Sequence, residues 1–253
     1  MVAAEFDFML APGEEPVAAA CLKLLRENGK VLIQLAKQTS QTEGKETFQK
    51  LIKALGNPHN HDRLGTTVWD VKYQPDYDTH ELARSLTMSE FPMHTDGSFE
   101  DPAPDSIGLY IVREDRFGAG VTTLVDSRDF IKRLSTGALN CLTNTKFPMR
   151  VPAEFNKGTN QVSLSIVTGD SNFRFREELI IRELCTAAQI EAIDELNSYL
   201  QDESLLSSLF LPTNSIMLLD NGRYFHGRTQ VKDPERHLLR VRFNVLDVPV
   251  CAA

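Results

Sequence analysis

Thr66-Thr67-Val68-Trp69-Asp70-Val71-Lys72-Tyr73 is the stretch that sets the fold class. Its residues are β-branched or aromatic and partly alternate between apolar and polar, the pattern of a strand with one buried face. Segments 106–112, 121–125, 147–151, 162–168, 215–219 and 238–246 read the same way. Two helices are expected among them, a short one near 127–134 and a longer one over 187–200. Many short strands with few helices point to a sandwich or barrel rather than a parallel α/β sheet. The expectation is a mainly β protein with flanking helices, built on a jelly-roll (double-stranded β-helix) core.

Upstream of that stretch the texture is helical. A helix is expected over 16–27, with Glu14 and Glu15 at its positive end and Gly29 to cap its C-terminus. A short apolar strand over 31–35 follows, then a helix over 44–55 that stops at Gly56-Asn57-Pro58. No linker, repeat or low-complexity tract interrupts the chain. One domain over 1–253 is expected, its helical N-terminal part (about 1–60) packed on the β core.

A chain of 253 residues, 42% hydrophobic and 25% charged, has the composition of an ordinary globular protein. It can bury roughly 70–75% of the surface that its unfolded form would expose. The formal net charge of −8 opposes binding to a phosphate backbone, so nucleic acid is not an expected partner. The arginines between Arg223 and Arg242 are spaced like a pocket for one small anion. Cys21, Cys141, Cys185 and Cys251 are far apart and form no C-x-x-C pair. With no secretory pattern at the start, they read as reduced thiols in a cytoplasmic protein, and a thiolate metal site is not expected. No apolar run is long enough to span a membrane.

The chemistry begins at Phe91-Pro92-Met93-His94-Thr95-Asp96-Gly97-Ser98-Phe99, which contains H-x-D. In extended chain, residues two apart point the same way, so His94 and Asp96 can share one metal ion. The third candidate is His226, 132 residues downstream (226 − 94), within Asp220-Asn221-Gly222-Arg223-Tyr224-Phe225-His226-Gly227-Arg228-Thr229. Two histidines and a carboxylate on one face leave open positions on the metal, the arrangement of non-haem Fe(II) oxygenases.

After Thr229 comes a charged loop, then Glu235-Arg236-His237-Leu238-Leu239-Arg240-Val241-Arg242-Phe243. From about residue 69 to 243 the sequence resembles the taurine dioxygenase and clavaminate synthase-like family of Fe(II)- and 2-oxoglutarate-dependent oxygenases. That family combines H-x-D/E, a distal H-G-R-T and an arginine some fourteen residues later; here the arginine is Arg240 (240 − 226 = 14). The resemblance implies Fe(II) on His94, Asp96 and His226, 2-oxoglutarate as cosubstrate and O2 as oxidant. It also implies release of succinate and CO2 and hydroxylation of a small polar substrate. A free amino acid or related small acid is the expected class.

By the same resemblance Arg240 holds the C5 carboxylate of 2-oxoglutarate, because a buried carboxylate needs a partner whose charge is never lost. Arg236 is placed near the C1 carboxylate, or else in a surface salt bridge with Glu235 or Asp233. Arg242 shares a strand face with Arg240 and is a rival for C5. The family's cosubstrate threonine falls in Gly118-Ala119-Gly120-Val121-Thr122-Thr123-Leu124, with Thr123 preferred over Thr122. Val121 departs from the pattern there, standing where a second glycine is usual.

Iron halogenases of the superfamily replace the metal carboxylate by Gly or Ala, so Asp96 argues against halogenation. A desaturating or cyclising oxygenase of a biosynthetic pathway fits the same motifs. A cupin-like protein that binds a metal without turnover is the alternative of another class. A nucleic-acid demethylase would share the iron site, but net charge opposes it. His59-Asn60-His61 is read as a solvent-facing pair, His80 as a loop residue and His237 as a strand residue. Phe173-Arg174-Phe175-Arg176 is read as an edge strand with solvated arginines, and Arg84 as a weak candidate for a substrate carboxylate.

Overall fold

In a computed structural model, residues 2–77, 84–169 and 172–246 are described. His80 and Cys251 lie outside them. Two sheets carry the fold. The larger has seven strands, and its central members are Lys30–Gln34, Ser215–Asp220, Ser106–Arg113 and His237–Val245. The last also pairs with Trp69–Lys72 from the opening stretch. The smaller sheet has five strands and includes Phe91–His94, Tyr224–Arg228, Thr122–Asp126 and Ser207–Phe210. Leu32, Ile107, Met217 and Leu238 of the larger sheet meet Leu124 of the smaller in one buried cluster. This is the mainly β, jelly-roll architecture expected from the sequence.

Period-two alternation decides which side chains reach that interior. On the His237–Val245 strand, Leu239, Val241 and Phe243 join the cluster packed beneath the N-terminal helices. Leu238 joins the cluster between the sheets. Arg240 and Arg242 share the parity of Leu238 and therefore point inward. On the Thr122–Asp126 strand, Leu124 is interior and Val125 packs outward against the helical side. Thr122 shares the inward parity and Thr123 does not.

Helix α1 (Ala18–Asn28) ends at Gly29, whose φ of 70° lets its N–H reach the Leu25 carbonyl. Helix α2 (Gln41–Leu55) starts a turn before the expected residue 44. Ser40 and Glu43 form a reciprocal capping box there. Both helices cover the outer face of the larger sheet through Cys21, Leu25, Phe48 and Ile52.

Helix α3 (Thr136–Asn144) was not expected. Its Thr, Gly and Asn content is poor for a helix, but Ser135 caps it and Ala138, Cys141 and Leu142 are buried. They join a cluster with Ile193 and Leu196 of α4 (Ala187–Leu200), which was expected over those residues. The helix expected near 127–134 is instead two 3-10 turns, Ser127–Asp129 and Ile131–Arg133. Segment 162–168 divides into Gln161–Leu164 and Val167–Thr168. Among the described residues, no helix is long and apolar enough to cross a membrane.

Candidate metal centre and cosubstrate pocket

His94 ends its strand directly opposite His226, and the two imidazole centroids are 4.3 Å apart. Asp96 lies two residues further on. One ligand atom from each of His94, Asp96 and His226 lies within 4.8 Å of the others, and all three residues are buried. Phe91 stacks on His94 with a centroid separation of 3.7 Å and closes one side.

The ligand loop is pinned from below. Asn221 Oδ1 accepts from the Asp96 N–H at 2.8 Å, while Asn221 Nδ2 donates to the carbonyls of Asp96 and Pro104, both at 2.9 Å. His94 Nδ1 lies 2.8 Å from the Pro92 carbonyl, so it carries the proton and Nε2 keeps its lone pair for the site. Burial pushes the imidazoles of His94 and His226 toward the neutral form that a metal requires. Burial, the largest single influence, would raise the Asp96 carboxyl, but Arg240, His226, Arg242 and His61 together outweigh it and hold Asp96 below the usual carboxylate range.

His94 Nε2, Asp96 Oδ2 and His226 Nδ1 are buried and have no hydrogen-bond partner. Buried polar atoms are rarely left so. Three of them on converging side chains, with two N donors and one O donor, fit a divalent iron.

Arg240 Nη1 donates to Asp96 Oδ1 at 2.9 Å, so this guanidinium sits against the His94–Asp96–His226 cluster itself. Arg236 lies elsewhere in the same cavity, which Thr122, Val71, Leu109 and His226 also line. It is buried and donates to the Gly120 carbonyl at 3.3 Å, and burial lowers its pKa to about 9. Gly120 makes room for it: φ is +60°, and a Cβ there would lie 2.8 Å from Arg236 Nε. The surface salt-bridge alternative for Arg236 is not what forms, because Arg116 takes both Asp233 and Glu235.

Arg242 pairs with Glu100 at 2.9 Å and donates to the Asn60 carbonyl, so its charge is already answered. Arg223 pairs with Asp126, and Arg228 donates to the carbonyls of Arg84, Thr87 and Ser89. The arginines at 223–242 therefore do not form one anion pocket; Arg228, Arg236 and Arg240 line the cavity. Thr123 is not among its lining residues, in keeping with strand parity.

Two expectations need correction. His61 does not face solvent: it is fully buried against Trp69 and Phe155, with neither ring nitrogen bonded. Its loop folds under the larger sheet, with its N–H donating to the Thr66 carbonyl. Nor are Arg174 and Arg176 solvated on an edge strand. Only Asn172–Phe173 is strand, and both arginines are buried against Asp101 and Glu178 respectively. Arg84, the weak candidate, also pairs with Glu178, at 2.6 Å. His237 is a strand residue, as read from sequence.

Sequence reasoning missed Asn221, His61 and Glu154 as residues of this region. Asn221 had a signal in its place within the quoted His226 motif. The other two had none, since each reaches the site only through the folding of a distant loop.

Residues 158–242 match the model of the taurine catabolism dioxygenase TauD, TfdA family, a span holding His226, Arg236 and Arg240. Over that segment the chain is similar to the TauD/TfdA family. Its H-x-D pair, His94 and Asp96, lies upstream of the matched segment and is joined to it by the fold. The fold is shared with solved structures. Asparagine oxygenase, in complex with Fe(II), 2S,3S-3-hydroxyasparagine and succinate, superimposes with a TM-score of 0.74 at 20% identity, over 90% of this chain and 78% of that one. The non-heme iron oxygenase OrfP, in complex with Fe, succinate and (3S)-hydroxy-L-Arg, gives 0.71 at 15% identity, over 89% and 81%. OrfP with Fe and alpha-ketoglutaric acid gives 0.69 at 16% identity, over 89% and 79%. No curated protein matches by sequence.

Proposed function

We propose that this protein is an Fe(II)- and 2-oxoglutarate-dependent dioxygenase that hydroxylates a free amino acid or related small acid, releasing succinate and CO2. The observation that carries this reading is the juxtaposition of the buried His94–Asp96–His226 cluster with Arg240, 2.9 Å from Asp96. The TauD-family match over the distal motif and the amino-acid products held by asparagine oxygenase and OrfP support the same class.

His94, Asp96 and His226 would hold Fe(II), which supplies the redox chemistry that couples 2-oxoglutarate decarboxylation to O2 activation. The chain's own residues bind, neutralise and exclude water. The two carboxylates of 2-oxoglutarate sit at opposite ends of a five-carbon chain, and its 2-oxo acid end would be the one held at the metal. Arg240, in contact with Asp96, would serve that C1 end. Arg236, buried without a carboxylate partner in the described residues, and Thr122 on the adjoining strand then take C5. These roles reverse those the resemblance suggested for the two arginines and exchange Thr123 for its neighbour. Phe91 and Phe155 keep water from the reacting end.

We read residues 1–253 as one oxygenase domain acting on a small molecule, with nucleic acid and membrane excluded as partners. The net charge of −8 supports the first exclusion, and the free thiols of Cys21, Cys141 and Cys185 support a cytoplasmic location. A non-catalytic cupin-like metal protein is disfavoured because it would have no use for Arg236, a buried cation with no carboxylate partner among the described residues.

The test is a mass-spectrometric screen of the purified protein with Fe(II), 2-oxoglutarate, air and a panel of amino acids and small acids. The expected product gains one oxygen atom, with stoichiometric succinate, and disappears in His94→Ala. A product that has lost two hydrogens would instead assign desaturation or cyclisation. Failure to bind Fe(II) with 2-oxoglutarate would overturn the enzyme class.

A further inference from the structure

Beside the metal cluster is a second small cavity lined by Phe155, Asp96, Arg176, Arg240, Arg242 and Glu154. The cations on this wall have partners: Arg240 bonds Asp96, Arg242 bonds Glu100, and Arg176 bonds Glu178 at 3.0 Å. Glu178 in turn holds Arg84. The anion Glu154 is different. It sits in the turn Ala153–Phe155, and its Oε1 is buried with no hydrogen-bond partner. Asp96 Oδ2 is similarly unbonded, but it belongs to the converging metal ligands, and Glu154 does not.

Removing a carboxylate oxygen from water without giving it a donor is unfavourable, and more so when it is charged. Arg176 and Arg240 are near enough for each to feel the Glu154 charge, although neither is bonded to its Oε1. Its neighbour Phe155 packs edge-on against Trp69, with centroids 4.9 Å apart, and stiffens the turn. The arrangement is a preformed acceptor on an aromatic wall, next to the position where a substrate must lie to be oxidised.

We propose that Glu154 accepts a hydrogen bond from a cationic nitrogen of the substrate and so selects amine- or guanidine-bearing small acids. This rests on the oxygenase reading above and narrows it. The nitrogen can be the α-amine or a basic side chain, and the two sources share the same chemistry at Glu154. A substrate offering only carboxylates would place like charges against Glu154 and Asp96 and be rejected.

The test is anaerobic calorimetry on the protein loaded with Fe(II) and 2-oxoglutarate, using the twenty common L-amino acids and simple alkylamines. Each binder is then compared with its N-acetyl analogue and with an analogue lacking the side-chain nitrogen. Wild type, Glu154→Gln and Glu154→Asp are measured side by side, and 2-oxoglutarate affinity reports whether each variant is folded. The expected result is at least one amine-bearing binder whose affinity falls on the order of 30-fold or more in Glu154→Gln, with partial recovery in Glu154→Asp. The 2-oxoglutarate affinity should not change. Loss of binding on N-acetylation identifies the α-amine as the partner, and loss with the side-chain analogue identifies the basic group. Equal binding by wild type and Glu154→Gln overturns the proposal and leaves the oxygenase reading standing. So does a panel in which 2-oxoglutarate binds but no amine-bearing compound does. Failure to bind 2-oxoglutarate at all removes the oxygenase reading and this inference with it.

Discussion

Arg240 and Asp96 form a buried ion pair, Nη1 to Oδ1 at 2.9 Å, although they are 144 positions apart in sequence. The pair joins the larger sheet to the loop after Phe91–His94 of the smaller one, and on the proposed reading it would couple a metal ligand to a cosubstrate anchor. A buried pair gives little net stability, but breaking it by removing one partner leaves an uncompensated charge.

Arg240→Ala should therefore destabilise the metal-free protein by about 3–5 kcal/mol. It should also weaken 2-oxoglutarate binding, whereas Arg240→Lys restores the charge without the fork and recovers only part of each. Chemical denaturation and calorimetric titration of 2-oxoglutarate measure the two effects. Unchanged cosubstrate affinity in Arg240→Ala would remove this arginine from the binding site.

Asn221→Ala takes the partner from the Asp96 N–H and from the carbonyls of Asp96 and Pro104. The expected cost is about 3 kcal/mol of stability. Metal affinity should fall roughly 10- to 100-fold, as for other residues that orient a ligand. Competition titration with a chromophoric chelator reads the affinity directly.

Strand parity separates the two threonines. Thr122→Ala should weaken 2-oxoglutarate binding by about tenfold, the value of one hydrogen bond to a charged group. Thr123→Ala should leave it unchanged. The reverse result would place the cosubstrate on the other face of the Thr122–Asp126 strand.

Gly120→Ala puts a Cβ 2.8 Å from Arg236 Nε at a backbone φ of +60°. The backbone term alone costs about 1–2 kcal/mol. Displacement of Arg236 should raise the 2-oxoglutarate dissociation constant while Fe(II) affinity stays constant. Parallel titrations of metal and cosubstrate distinguish this from general unfolding.

His61 predicts an acid-sensitive term in stability. Burial, with Arg240 and Arg242 nearby, pushes its imidazole down to about 2, so it stays neutral in the folded protein. In the unfolded chain it titrates near 6.5. Below that pH the unfolded state binds the extra proton, and stability falls with falling pH by about 1.4 kcal/mol per unit for this residue. His61→Gln should reduce the slope of unfolding free energy against pH between about 6 and 4 by that amount, whatever it does to absolute stability. An unaltered slope would mean that His61 is accessible to protons in the native protein.

How much was legible in the sequence varied with how local the signal was. Helix α4 was readable because its apolar spacing and its Thr186 cap lie within the segment itself. Helix α3 was not, because its Thr, Gly and Asn residues argue against a helix and only packing on α4 outweighs them. The start of α2 was written in Ser40 and Glu43, a signal present in the sequence but passed over.

The sequence by itself carried the mainly β class, the pairing of His94 with Asp96, and His226 as the third candidate ligand. Each depends on residues two apart in extended chain, or on motifs whose spacing is local. Tertiary structure alone decided which guanidinium touches Asp96, which threonine lines the cavity, that Glu154 lines the neighbouring cavity, and that His61 is buried. Those facts depend on how two sheets are registered against each other and on which loops fold between them. Both follow from the closest packing of the whole core, and no spacing along the chain records them.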